Sequence, residues 1–296
     1  VIFNVKHVTT YTYSDMVSLC QNQARLTPMT VGHQVCHASE IHVSPAADYK
    51  EQFVDYFGNQ VTVFDVPTQH NTLQVTAIST VELLPRSQDD LFNFQIPWES
   101  VRDSLRRPHN SELLNAAEYV LPSGFVQRSS AMKQFALQSF TANRAIVDAC
   151  QHLMARIFNE FTFDPSFSTI STPLSEVLEH KKGVCQDFAH FAIACIRSIG
   201  LAARYVSGYI ETLPPEGQEK LEGADATHAW FAVYIPNFGW LEFDPTNNLI
   251  PEKQHITLAV GRDFADVSPL KGVAFGGGEH QLQVAVDMMR MESLNM

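Results

Sequence analysis

The chain has 296 residues, with 20 Lys+Arg against 32 Asp+Glu and a formal net charge of −12. That length exceeds one ordinary domain of about 100–200 residues, and the acidic balance argues against a nucleic-acid groove or an anionic membrane surface, which need clustered positive charge. A composition 45% hydrophobic and 18% charged excludes disorder over most of the chain.

Five cysteines, Cys20, Cys36, Cys150, Cys185 and Cys195, without a CxxC pair give neither a disulfide framework nor a zinc ribbon. The residues shown carry no basic-then-apolar leader, and no apolar run reaches the roughly 18 residues that span a bilayer. The expectation is a cytoplasmic protein with no membrane association.

The first 85 residues read as strands. Val1, Phe3, Val5, Thr9, Tyr11 and Tyr13 share one parity, and Leu73, Val75, Ala77 and Val81 repeat the alternation. Gly58-Asn59 between two apolar runs predicts a hairpin turn. Residues 1–85 are therefore expected to form an N-terminal antiparallel β domain. Residues 86–142, punctuated by Pro97, Pro108 and Pro122, read as a linker with short helices and no interpretable chemistry.

From 143 the period changes, and 143–296 is expected to be the catalytic domain with C-terminal strands. Ile146, Cys150, Leu153, Met154, Ile157 and Phe158 predict one helical face. Thr172-Pro173 predicts an N-cap and first helical position, opening a short helix to about His180. A second helix is expected from Val184 or Cys185, with Phe188, Phe191, Ala192, Cys195, Ile196 and Ile199 as its stripe and Gly200 as its stop. Leu201–Glu211, Ala226–Ile235 and Trp240–Phe243 read as strands. Leu213–Gly223 reads as a loop and Pro236–Gly239 as a turn. Segments 256–260 and 281–286 are expected to be further strands around the loop Gly276–Gly278. The class is α+β.

Cys185, at a helix start, faces unpaired backbone N–H groups and the positive end of the dipole, which favour a thiolate and an oxyanion alike. His228 lies 228 − 185 = 43 residues on, in a strand, and Asp244 lies 244 − 228 = 16 beyond it, across the hairpin. That set supplies a nucleophile, an acid/base and an orienting carboxylate. Each also has an ordinary reading: a cysteine packs, a strand histidine sits in a core, and Asp-Pro starts a turn. Glu242 and Asp225 are rivals for the third role.

Four ordered blocks carry a resemblance: 183–190 (GVCQDFAH), 203–209 (ARYVSGY), 227–230 (THAW) and 240–247 (WLEFDPTN). Together with 55–59 (DYFGN) and 261–264 (GRDF), they resemble the bacterial transglutaminase-like superfamily. The resemblance implies a papain-like core, a Cys-bearing helix packed on an antiparallel sheet, preceded by an N-terminal β domain. It implies Cys185 as nucleophile, His228 as general base and acid, and Asp244 as orienting group. Animal transglutaminases use an upstream tryptophan as oxyanion donor. Here Trp98, Trp230 and Trp240 do not lie shortly before Cys185, so the second donor is unassigned. No alternating Asp/Asn-Gly calcium loop is present. No cofactor and no metal are expected.

His33, Cys36, His37 and His42 are dense enough to suggest a metal, but their spacing fits no standard zinc pattern. Cys195 and His190 are expected to be structural. Trp230 either walls the pocket or packs, and Arg204 is either an ion-pair partner or a substrate anchor. The expected activity is cysteine-dependent acyl transfer on the amide bond of a peptide or protein through a thioester, resolved by water. The alternatives are protein-glutamine amine transfer and a catalytically silent interaction module. Cys185→Ala and His228→Ala are expected to abolish turnover, and Asp244→Asn to be milder, since an amide can still orient the ring.

Overall fold

The computed structural model describes residues 1–85, 95–212, 223 and 225–291. The loop expected over Leu213–Gly223 lies almost wholly outside the described residues, as do 86–94 of the expected linker.

Strand β1 (Ile2–Ala24) is the spine of a seven-stranded antiparallel sheet. Its first half lies between β5 (His70–Leu83) and a C-terminal strand, Ile2 opposite Glu82 on one side and Met291 on the other. Phe3, Val5, His7 and Thr9 alternate inward, as do Leu73, Val75, Ala77, Ser79, Val81 and Leu83 from β5. Past a register break its second half pairs with β4 (Gln60–Val66) and another C-terminal strand. Strands β2 (Gln34–Ser44) and β3 (Tyr49–Val54) flank the ends of this sheet.

Three helices, α1 (Trp98–Arg106), α2 (Ser111–Ala117) and α3 (Ser130–Leu137), occupy the stretch read as a linker. They are not spacers. Trp98, Val101, Leu105, Leu113, Met132 and Phe135 are buried in the main core. Their apolar spacing gives each short helix a face that is stable only when covered.

A second, four-stranded antiparallel sheet follows, built from β8 (Ala203–Ile210), β9 (Ala226–Ile235), β10 (Gly239–Phe243) and β11 (His255–Gly261) in the order β10-β9-β8-β11. Helix α4 (Ile146–Glu160), α5 (Leu174–His180) and α6 (Cys185–Ser198) precede it. Pro173 sits in the N-cap position of α5, one residue earlier in the frame than its sequence predicts. A two-stranded parallel pair, β6 (Thr162–Phe163) and β7 (Lys182–Gly183), leads into α6. Helix α6 is buried from Asp187 to Arg197 and packs on β8 and β9, so the sheet positions its N-terminus.

The expected C-terminal strands are present, and they pair outside the second sheet. After α7 (Phe264–Val267), β12 (Leu270–Gly276) and β13 (His280–Met291) return to the first sheet, pairing with β1 at 17–24 and at 2–13. Alternation marks a strand without naming its partner. Here the partner is β1, whose second edge these strands cover.

Two side-chain amides join the sheets. Gln34 Nε2 donates to the Thr257 carbonyl at 2.8 Å, and Gln34 Oε1 accepts from Thr257 N–H at 2.8 Å. Asn59 makes the same reciprocal pair with Val260, at 2.9 and 2.8 Å. Each amide completes one rung on the edge of β11 that no strand pairs. Asp55 sets Asn59 by accepting from the N–H groups of Phe57 and Asn59 and from Asn59 Nδ2, around Gly58 at φ 85°. Only a residue without Cβ holds that turn cheaply. Met29 and Phe57 then pack on Val206, Trp230, Ala232 and Val260, covering the sheet face opposite α6.

Candidate active site

Cys185 is the first residue of α6, after Val184 in extended geometry. Asp187 reaches back to accept from Val184 N–H at 2.8 Å, which fixes the chain entering the helix. A Cβ on Gly183 would lie 2.8 Å from Asp187, so this position needs glycine for close approach. The first-turn N–H groups of Cys185 and Gln186 have no intrahelical partner by construction and point out of the helix end. Cys185 is half-buried, whereas Cys20, Cys150 and Cys195 are buried, and burial pushes the Cys195 thiol up.

His228, near the start of β9, is 8% exposed. Its Nε2 donates to Asp244 Oδ2 at 2.8 Å. The Cys185 side chain also acts on this ring, and with Nε2 committed to Asp244 the nitrogen not so engaged is Nδ1. Burial works against a charged ring, but the hydrogen bonds and charges of Asp244 and Cys185 outweigh it and raise His228 to about 10. His228 is therefore an imidazolium at neutral pH.

Asp244 is fully buried at the end of β10, where Phe243 pairs with Phe231 and the chain turns. Oδ1 accepts from Thr246 N–H at 2.9 Å and Asn247 N–H at 3.3 Å. Oδ2 accepts from His228, from Asn247 Nδ2 at 2.7 Å and from His255 Nε2 at 2.9 Å. Burial alone would raise this carboxyl, yet its bonds to His228 and His255 hold it well below the usual carboxylate range. Thus the structure brings Cys185, His228 and Asp244 to one edge of the sheet.

The other residues singled out in the sequence go elsewhere. Asp225 accepts from the N–H groups of Thr212 and Met288, at 2.7 and 2.6 Å, and so ties the second sheet to β13. Glu242 faces His33 at 3.7 Å and the charge of Arg204. Arg204 lies over the Trp240 ring at 4.5 Å and serves as a buried charge partner. His190 accepts from Phe264 N–H at 3.1 Å, stacks on Phe125, and is lowered to about 4 by burial. Of the dense N-terminal group, His37 meets Glu82, His42 meets Glu40, and Cys36 donates to the Ala38 carbonyl. These residues have separate partners and form no common centre. Trp230 is fully buried, with its ring tilted 5.8 Å from His228 and edge-on to His255 at 5.1 Å.

Two residues of this constellation escape sequence reasoning as site residues, Asn247 and His255. Asn247 stands within a quoted block but has no role readable from spacing. His255 opens β11, which sits beside β8, so its approach to Asp244 depends on sheet order. Gly208, the register partner of His228, makes that approach possible. A Cβ there would sit 2.5 Å from the Trp230 ring and 2.1 Å from the Ile256 carbonyl oxygen.

His228, Asp244 and His255 place two Nε2 atoms and a carboxylate oxygen within 4.8 Å of one another, the donor set of a metal site. Their spacing fits hydrogen bonding better. Both nitrogens lie 2.8–2.9 Å from the same oxygen, whereas tetrahedral donors at about 2.0–2.1 Å from zinc stand roughly 3.3 Å apart.

The fold and site together define a papain-like arrangement, a cysteine at a helix N-terminus facing a histidine and aspartate on an antiparallel sheet. The family models agree: the Bacterial transglutaminase-like N-terminal region matches residues 3–82, and the Transglutaminase-like superfamily core matches 133–245. The chain belongs to the transglutaminase-like superfamily. It is 37% identical over 297 residues to the uncharacterized protein Rv2569c of Mycobacterium tuberculosis, covering 98% of this chain and 93% of that protein. A protein-glutamine gamma-glutamyltransferase of Pseudomonas aeruginosa is 29% identical over 136 residues, 41% of this chain and 20% of that protein. Among solved structures, one described as "a Putative Cysteine Protease" from Cytophaga hutchinsonii superposes with a TM-score of 0.74 at 19% identity. It covers 99% of this chain and 92% of that one.

Proposed function

We propose that the protein is a cysteine-dependent acyl-transfer enzyme that hydrolyses an amide bond of a peptide or protein. The observation that carries this reading is the commitment of His228 Nε2 to Asp244 at 2.8 Å, which leaves Nδ1 for Cys185. In the resting state the Cys185 thiolate pairs with the His228 imidazolium. The sulfur attacks the carbonyl carbon, and the N–H groups of the first turn of α6 face the oxyanion that forms. Nδ1–H of His228 passes its proton to the departing amine nitrogen, the C–N bond breaks, and a thioester remains. Water then gives a proton back to Nδ1 as its oxygen attacks the thioester carbon. The C–S bond breaks, and the carboxylic acid leaves with the ion pair restored.

Cys185 is half-buried rather than enclosed, so water can reach the thioester. The partial match to a gamma-glutamyltransferase favours amine transfer as the second reading. Incubation with glutamine-containing peptides, with and without a primary amine, separates the two by mass spectrometry. Hydrolysis gives acid or cleaved product without amine, and Cys185→Ala abolishes it. Aminated product with no amine-independent hydrolysis would reject the hydrolase reading. A Cys185 no more reactive than an ordinary thiol would leave a silent interaction module.

A further inference from the structure

Asp244 has more donors than an orienting carboxylate needs. The N–H groups of Thr246 and Asn247 hold Oδ1, and Asn247 Nδ2 holds Oδ2, so its orientation is already set. His255 Nε2 adds a further bond to Oδ2, the oxygen that serves His228. His255 is 2% exposed, and its Nδ1 is buried without a hydrogen-bond partner. With the carboxylate oxygen as its partner, Nε2 is the nitrogen that carries the donating N–H.

We infer that His255 is a positioning residue acting through Asp244: by sharing Oδ2 with His228, it limits the carboxylate's hold on the imidazolium and so keeps the Nδ1 proton transferable. This rests on the proposed role of the Cys185–His228 pair. The physical basis is that each donor to a carboxylate disperses its negative charge and weakens its attraction for the remaining partner. The titratable groups bonded or electrostatically coupled in this cluster are Asp244 and His228, with Cys185 acting on the His228 ring. From β9 the facing group is the Trp230 ring. Across β8, where His255 pairs with Ile210, the adjacent Glu211 is engaged by Arg290 at 2.7 Å.

The test is the pH profile of Cys185 alkylation by iodoacetate, mapped by mass spectrometry, for wild type, His255→Phe, His255→Asn and His255→Gln. An anionic reagent reports the imidazolium beside the sulfur, so its rate falls as His228 loses its proton. Gln places an amide N–H where the imidazole Nε2–H stands, whereas Asn is too short. Phe and Asn are expected to keep the neutral-pH rate within about threefold and to move the alkaline decline upward by about one pH unit, the size of one charge-assisted bond. Gln is expected to return it to wild type. An unchanged or lowered decline in Phe, or Gln behaving as Phe, overturns the inference. Loss of native circular dichroism in all three variants also overturns it, assigning His255 to the fold. A wild-type Cys185 with no excess reactivity overturns instead the proposed function.

Discussion

Asp244→Asn is the most informative single change, because the amide has no orientation that satisfies its surroundings. With its oxygen toward the N–H groups of Thr246 and Asn247, its NH2 faces three donors: His228 Nε2, His255 Nε2 and Asn247 Nδ2. Reversed, the NH2 faces two backbone N–H groups. In the first orientation two buried donors, the rings of His228 and His255, lose their acceptor at about 1–3 kcal/mol each, which sums to about 2–6 kcal/mol of stability. The imidazoles can escape only by moving the proton from Nε2 to Nδ1. A neutral His228 protonated at Nδ1 has no lone pair there to take the Cys185 proton, so the ion pair does not form, a tautomer error that costs up to roughly 10⁴ in turnover. The geometry thus predicts a larger loss than the change of one orienting atom would by itself suggest. Urea unfolding and Cys185 alkylation by iodoacetamide at pH 6 measure the two losses. A variant that unfolds within about 0.5 kcal/mol of wild type and alkylates within threefold would refute the reasoning.

Other expectations follow from the same contacts. Asn59→Ala strips the N–H and carbonyl of Val260, itself 1% exposed, of their partners. Stability should fall by about 2–4 kcal/mol in urea, while a loss under about 0.5 kcal/mol would mean that the amide is not the clip between sheets. Since His228 is raised to about 10 from an ordinary 6.5, its pairing supplies stability that is complete below about 6.5 and lost as pH rises through about 10. The low-lying Asp244 supplies stability present above the ordinary carboxylate range and lost as pH falls below that range toward the lowered native value. The gap in melting temperature between wild type and His228→Ala should therefore narrow from pH 6.5 to pH 10. A constant gap would contradict an imidazolium paired in the native state.

Much of the site was readable because it is local. The helix start at Cys185 follows from the apolar stripe behind it, and hairpin arithmetic brings 228 near 244. The hidden parts depend on long-range pairing. His255 meets Asp244 only because β11 lies beside β8, and no period in the sequence states that order. Strands β12 and β13 are legible as strands but not as partners of β1. The helices of 98–137 were hidden by their prolines and shortness, although Trp98, Val101 and Leu105 already carry a helical spacing. Phe158, counted on the inner face of α4, is 46% exposed, because the face turns outward at the last turn. Asn59 and Gln34 look like ordinary polar loop and strand residues until the edge they complete is known.

The central claim is that His228 holds Cys185 as a reactive thiolate. An ordinary thiol near 8.5 is ionised to only about 0.3% at pH 6, so a fully paired thiolate gains up to about 300-fold in reactive population, less its lower intrinsic nucleophilicity. Iodoacetamide labelling of native protein at pH 6, quantified at Cys185 in wild type and His228→Ala, measures it directly. Labelling of wild type at least about 30-fold faster than the variant is expected. Equal rates in the two proteins, both at the level of a free thiol, would contradict it.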